Sequence, residues 1–172
     1  MLENIDLKGT GYCASLNFRR TARAVTKLFD LAFDAGTRST QFTILVGVAK
    51  TQPTSISALS EMLLIDRTTL SRSLRLLQKE GLLTISARAE MRQRFLSLTR
   101  KGVRELARAV PQWRKMQQRF VSEIGTEYWI RFRAELERLA GVACALENDH
   151  LALAGAKEIS GSPSGQESNE AV

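Results

Sequence analysis

A mainly helical α+β fold is predicted by three observations. Apolar residues recur at helical spacing through most of the chain. One short stretch, about residues 82–99, instead alternates like a pair of strands. Between these patterns stand the capping and stopping residues that separate short helices from one another. The length, 172 residues, suits one ordinary domain or a small domain with helical extensions. At 44% hydrophobic residues the chain has material for a core, which excludes disorder throughout.

Several classes are excluded early. The longest apolar run, Phe42 to Ala49, falls far short of the roughly 20 residues that span a bilayer, so no membrane partner is expected. The N-terminus MLENIDLKGTGYC carries acids and no apolar core, unlike a signal peptide. Cys13 and Cys144 match no metal spacing and make no disulfide scaffold, so a reducing cytoplasm is the expected location. No metal or other cofactor is expected. The body of the chain has no histidine, phosphate loop or nucleophile elbow, and an enzyme is not expected.

Taken in order, residues 1–10 read as a flexible lead. Over 11–34, Phe18, Ala22, Val25, Phe29 and Ala32 form a helical stripe opposite Arg19, Arg20, Arg23 and Lys27. Gly36 closes that helix, and a second follows over about 40–50, with a Ser or Thr cap and FTILVGVA apolar nearly all round. Gln52-Pro53-Thr54 reads as a connector. Ser55 is placed to cap a third helix ending near Leu63, and Asp66 a fourth running to Glu80, with Gly81 as its stop. Leu70, Leu74 and Leu77 give the fourth helix its buried face. Leu82 to Ser86 and Gln93 to Thr99 then read as strands joined by a basic tip.

Thr99 opens a long fifth helix with its stripe at Val103, Leu106, Val110, Trp113, Met116, Phe120 and Ile124, and a kink expected at Pro111. A sixth helix carries Trp129, Phe132, Leu136, Leu139, Ala143 and Leu146, a heptad-like spacing suited to packing between subunits. Residues 151–172 read as a disordered tail. The resulting plan is residues 11–50 as N-terminal helices, 51–100 as a winged helix-turn-helix, and 101–150 as C-terminal helices that pair two copies.

Charge locates the function. Between Arg67 and Lys101 stand nine bases and two acids, a local excess equal to the whole protein's net +7. Concentrated charge of this kind suits neutralisation of phosphates, and the expected partner is double-stranded DNA. Thr68, Thr69, Ser71, Arg72 and Arg75 stand on the fourth helix over about two turns, the length that enters a major groove. A solvated helix face is the plainer alternative. Arg88, Arg92 and Arg94 lie on the ribbon, where a tip arginine reaches an adjacent narrow minor groove. Glu90 is placed either to orient one of these arginines or to be a plain surface carboxylate.

The segment DRTTLSRSLRLLQKEGLL, followed by EMRQRFLSLTRKG, resembles the MarR family of winged-helix transcriptional regulators. Leu77 to Gly81-Leu82 fits the family's L-x-x-x-G-L, Leu98-Thr99-Arg100-Lys101-Gly102 fits its Leu-Thr-x-x-Gly, and Arg92 falls on its wing arginine. LNFRRTARAVTKLFD and AVPQWRKMQQRF are similar to one branch, so the resemblance spans roughly residues 12–145. It departs at Glu90, where the wing usually has Asp, and at Leu64, where the turn often has Gly. A left-handed residue at 64 would be strained, so a different turn is expected there.

The resemblance implies a homodimer that represses transcription from a pseudo-palindromic operator and is released by a small-molecule effector or by oxidation. It also implies a ligand pocket near Arg19, Phe42, Leu45 and Trp113, although these side chains also suit a plain core. Cys13, at the start of the first helix where a dipole favours the thiolate, resembles the family's oxidation sensor in position. The aromatic residues expected after it are replaced by Ala14-Ser15-Leu16-Asn17. The rival within the same chemistry is an architectural protein with little sequence preference. A helical adaptor for another protein would leave the basic ribbon unexplained.

Overall fold

The computed structural model describes residues 6–34, 37–88 and 93–160. It contains six α-helices and three strands among these residues, and divides into two units, 1–119 and 120–172. After a short 3-10 turn (Thr10–Tyr12), the first unit holds α1 (Ala14–Asp30), α2 (Ser39–Thr51), β1 (Thr54–Ser55), α3 (Ile56–Leu63), α4 (Arg67–Lys79), β2 (Leu83–Arg88), β3 (Gln93–Leu98) and most of α5 (Arg100–Ile124). No helix is long and apolar enough to cross a membrane among the described residues.

The core forms around α2, as its apolar sequence requires. Ile44, Leu45 and Val48 join Leu59, Leu70, Leu74, Leu77, Leu83 and Leu96 in one buried cluster. Phe33, Phe42 and Ala109 form a second, with Trp113 packed against it. The start of α2 corrects the expected Ser or Thr cap. Arg38 occupies the cap position, its N–H donating to Gln41 Oε1 at 3.1 Å, while Asp30 accepts the Ser39 N–H at 2.7 Å. That backbone hydrogen bond holds the Asp30 carboxyl below the usual carboxylate range.

Gln52-Pro53-Thr54 is more than a connector. Thr54 and Ser55 form β1, paired antiparallel to β3 at Leu96 and Phe95, which makes the ribbon a three-stranded sheet of order β1-β3-β2. Gln52 Oε1 extends that edge by accepting the Leu98 N–H at 2.9 Å. Two residues are too few for alternation to register, so the pairing had no signal in the sequence.

Ser55 caps α3 through the Ala58 N–H (3.1 Å) and Asp66 caps α4 through the Thr69 N–H (2.8 Å), both as expected. Between them the expected departure of the turn does not occur. Leu64 adopts the left-handed conformation itself, φ 51° and ψ 41°, and the Ile65 N–H donates back to Ser60 O at 3.1 Å. The side chain is largely exposed, so little burial compensates the strain. Leu64→Gly is expected to raise stability by up to about 1 kcal/mol, after the unfolded-state entropy of glycine offsets part of the relieved strain. Denaturant titration checks this; an unchanged or lower midpoint would show that the strain does not exceed the entropy glycine adds to the unfolded chain.

At the other end of α4, Gly81 takes φ 72°, and its N–H and that of Leu82 donate to Gln78 O and Leu77 O, both at 2.9 Å. This is the glycine-terminated end that the sequence predicts. Thr99 then ties three elements together. Its hydroxyl donates to Gly81 O (2.7 Å) and accepts from the Gly102 N–H (3.0 Å), while Lys101 Nζ donates to Glu80 O (2.7 Å). Gly102 is buried so tightly that a Cβ there would lie 1.9 Å from Leu82 O. The family-like Leu-Thr-x-x-Gly segment is thus the clasp that fastens the first turn of α5 to the end of α4.

α5 passes through Pro111 without ending. In the second unit, Phe120 and Trp129 meet edge-on at 6.1 Å across Gly125, and α6 runs Thr126–Ser160. The helix therefore continues about two turns beyond Leu151, where a disordered tail was expected. Leu151 and Leu153 keep apolar positions and Ala152, Ala154 and Ala156 favour helix. The rest of the expected tail, 161–172, lies outside the described residues, as does Gly36.

Candidate nucleic-acid interface

α4 has four distinct sides, and its surroundings assign each one. Leu70, Leu74 and Leu77 are at most 1% exposed and fix the helix to the core. Opposite them runs an exposed crest of Thr68, Arg72 and Lys79. One flank, Ser71, Arg75 and Gln78, faces the sheet across a cavity of about 340 Å³ that Arg94 of β3 also lines. The other flank, Ser73, Leu76 and Glu80, borders a cleft of about 890 Å³ against the α1–α2 region. Sequence periodicity placed Thr68, Ser71, Arg72 and Arg75 together; the fold sorts them into crest and flank.

The guanidinium groups on this surface face solvent. Arg72, Arg75 and Arg94 are exposed and make no hydrogen bond or ion pair among the described residues. Arg108 of α5 shows the contrast. It donates to Asp34 (3.0 Å) and to both oxygens of Glu105 (2.7 and 3.3 Å), which fastens the segment after α1 to α5. Arg108 and Thr37 together hold the Glu105 carboxyl below the usual carboxylate range. A guanidinium placed for structure is surrounded by acceptors; those on α4 and β3 face solvent.

The other predicted residues are placed as follows. Thr69 is exposed, but it serves the cap: hydrogen bonds from its side chain and then its backbone hold the Asp66 carboxyl below the usual range, with the Arg72 charge also contributing. The Arg88 backbone pairs with Gln93 at the end of the ribbon. Arg92 and Glu90, at the tip, lie outside the described residues. The proposed pocket residues line neither the 340 Å³ cavity nor the 890 Å³ cleft. Phe42 stacks on Trp113 (centroids 5.8 Å) and tilts on Phe33 (5.2 Å), Leu45 sits in the neighbouring core cluster, and Arg19 is exposed on α1. None of the four lines the 890 Å³ cleft, where Gln41 Nε2 donates to Glu80 Oε2 at 3.4 Å. Cys13 is an exposed free thiol just before α1.

Sequence reasoning missed Gln78, which lies outside the hydroxyl-and-arginine pattern and acquires its place only when β3 folds beside α4.

Residues 35–93 match the family model described as MarR family. Among solved structures the chain is similar to the M. tuberculosis transcriptional regulator MosR in complex with DNA, at 32% identity and a TM-score of 0.72, covering 78% of this chain and 98% of that one. A structure of MosR from the same organism matches at 31% identity and a TM-score of 0.68, covering 77% and 96%. The PcaV transcriptional regulator from Streptomyces coelicolor, in complex with its natural ligand, shares the fold at 23% identity and a TM-score of 0.69, covering 76% and 93%. A search of the curated proteins found no match.

Proposed function

The chain belongs to the MarR family of transcriptional regulators, and from that premise we propose that it is a sequence-specific repressor that holds a pseudo-palindromic operator as a homodimer. The observation that carries this reading is the crest of α4, whose exposed Thr68 and Arg72 stand clear on a helix anchored by three buried leucines. The crest enters the major groove, with Arg72 forking onto a guanine edge. Arg88 and Arg92, at the wing, take the adjacent minor groove. A similar regulator solved on DNA adds support.

Pairing of two copies is supported by apolar side chains left uncovered in each unit. Phe18 of α1 is 47% exposed; on α6, Leu139, Val142, Leu146 and Leu153 share one side of the helix and are 37%, 46%, 64% and 65% exposed. A face of this kind is covered when a helical partner packs on it. Release by a small molecule, or by oxidation of the surface thiol Cys13, completes the reading. Operator occupancy before and after peroxide, in wild type and Cys13→Ser, separates the two: insensitivity to peroxide leaves the small molecule as the switch.

Selection from a randomised duplex library is expected to return one two-fold symmetric motif, where a flat profile would identify an architectural binder. On that motif Arg72→Ala is expected to weaken binding by roughly 10- to 100-fold, while random DNA loses much less, because only the base contact discriminates. Equal losses on both duplexes in gel-shift titrations would remove Arg72 from base reading.

A further inference from the structure

We propose that Arg75 and Arg94 grip a single backbone phosphate at the seam between α4 and the wing. The proposal rests on the DNA-binding reading above and deepens it, moving Arg75 from the base-reading role that its sequence position suggests to a backbone role. The two arginines come from different elements, a helix and a strand, yet line the same cavity of about 340 Å³. Both are exposed and neither is engaged by any acceptor among the described residues.

Two like charges converging on one cavity repel each other unless an anion lies between them. Among the described residues the charged side chains lining this cavity are both arginines, which leaves the site complementary to an anion. Ser71 and Gln78 add neutral donors on the same helix face, and Leu74 and Ile85 form an apolar floor. Arginine pairs with phosphate oxygens through its planar fork, and hydroxyl and amide groups complete such contacts. A base edge suits the site less well. Base readers stand on the crest of a recognition helix, as Thr68 and Arg72 do, whereas this cavity opens on the flank. The opposite flank differs in charge: its cleft is lined by three carboxylates, Asp30, Asp34 and Glu80, against the one guanidinium of Arg38.

The test uses the full-length protein and the duplex obtained from library selection. Arg75→Ala and Arg94→Ala are each expected to lose about tenfold in affinity and to reduce the slope of log affinity against log salt by about one per half-site, with base preference unchanged. A scan of neutral methylphosphonate substitutions along the duplex then locates the phosphate. At one position per half-site the modification is expected to weaken wild type most, each single variant less, and the Arg75→Ala/Arg94→Ala double variant no further. Equal thermal midpoints of all four proteins confirm that the losses arise at the interface.

The proposal is overturned if the two variants lose response to modification at different positions, if the double variant still responds at the wild-type position, or if Arg75→Ala changes the selected motif. In each of those cases the DNA-binding reading stands. If wild type selects no duplex at all, that reading fails first and this one with it.

Discussion

Gly102→Ala is expected to cost roughly 3–5 kcal/mol, enough to unfold the winged half of a marginally stable domain at moderate temperature. The added Cβ would meet Leu82 O at 1.9 Å and Leu82 C at 2.9 Å, and both are backbone atoms. Relief requires the start of α5 to move away from the β2 approach, which also breaks the Gly102 N–H bond to Thr99 and the Thr99 bonds to Gly81 and Leu82. Gly47→Ala is the control. Its Cβ would meet Leu59 Cδ1 at 2.8 Å and Met62 Cε at 3.1 Å, side-chain ends that can rotate aside. The gain in helix propensity of about 1 kcal/mol offsets part of that strain. Urea unfolding of both variants checks the contrast. A Gly102→Ala midpoint near that of wild type would mean the clasp is loose.

The second large effect lies under the recognition helix. Leu77→Ala is expected to destabilise by about 2–5 kcal/mol, since the side chain is fully buried in the cluster that joins α4 to α2, α3 and the sheet. Its consequence for DNA differs in kind from that of the surface arginines. Leu77 orients α4 without reaching the crest, so below its lowered melting temperature the variant is expected to bind operator with close to wild-type affinity and unchanged preference. Calorimetry paired with gel shifts at two temperatures distinguishes the cases. Altered preference in the fully folded variant would show that the core sets the aim of the helix as well as its stability.

Much of this architecture was legible in the residues. Ser55 and Asp66 ahead of apolar periodicity, Gly81 behind it, and the alternation on either side of the wing tip located α3, α4, β2 and β3 closely, because caps and periodicity are local physics. β1 was not legible, since its pairing depends on β3 some forty residues away and on a glutamine side chain that completes the edge. The cap of α2 was misplaced for a similar reason: Asp30, nine residues upstream, does what the nearby hydroxyls were expected to do.

The interface was legible as a concentration of charge but not as a geometry. Helical spacing put Ser71 and Arg75 with Thr68 and Arg72; the strand that turns one flank into a cavity became visible only with the fold. Thr69, read as a contact residue, also serves the cap at Asp66. Leu64 taught the opposite lesson, since the chain tolerates a strained leucine where the turn demands a left-handed residue.

The clasp at Thr99 has a mechanical meaning for the wing. β2 and β3 leave and return at one place, Leu83 opposite Leu98, and that place is bolted to the end of α4 and the start of α5. The hairpin is therefore held at its base by the clasp and along β3 by β1. With the base of the hairpin fixed in two directions, a change of length or composition between β2 and β3 is expected to leave the register of α4 in place.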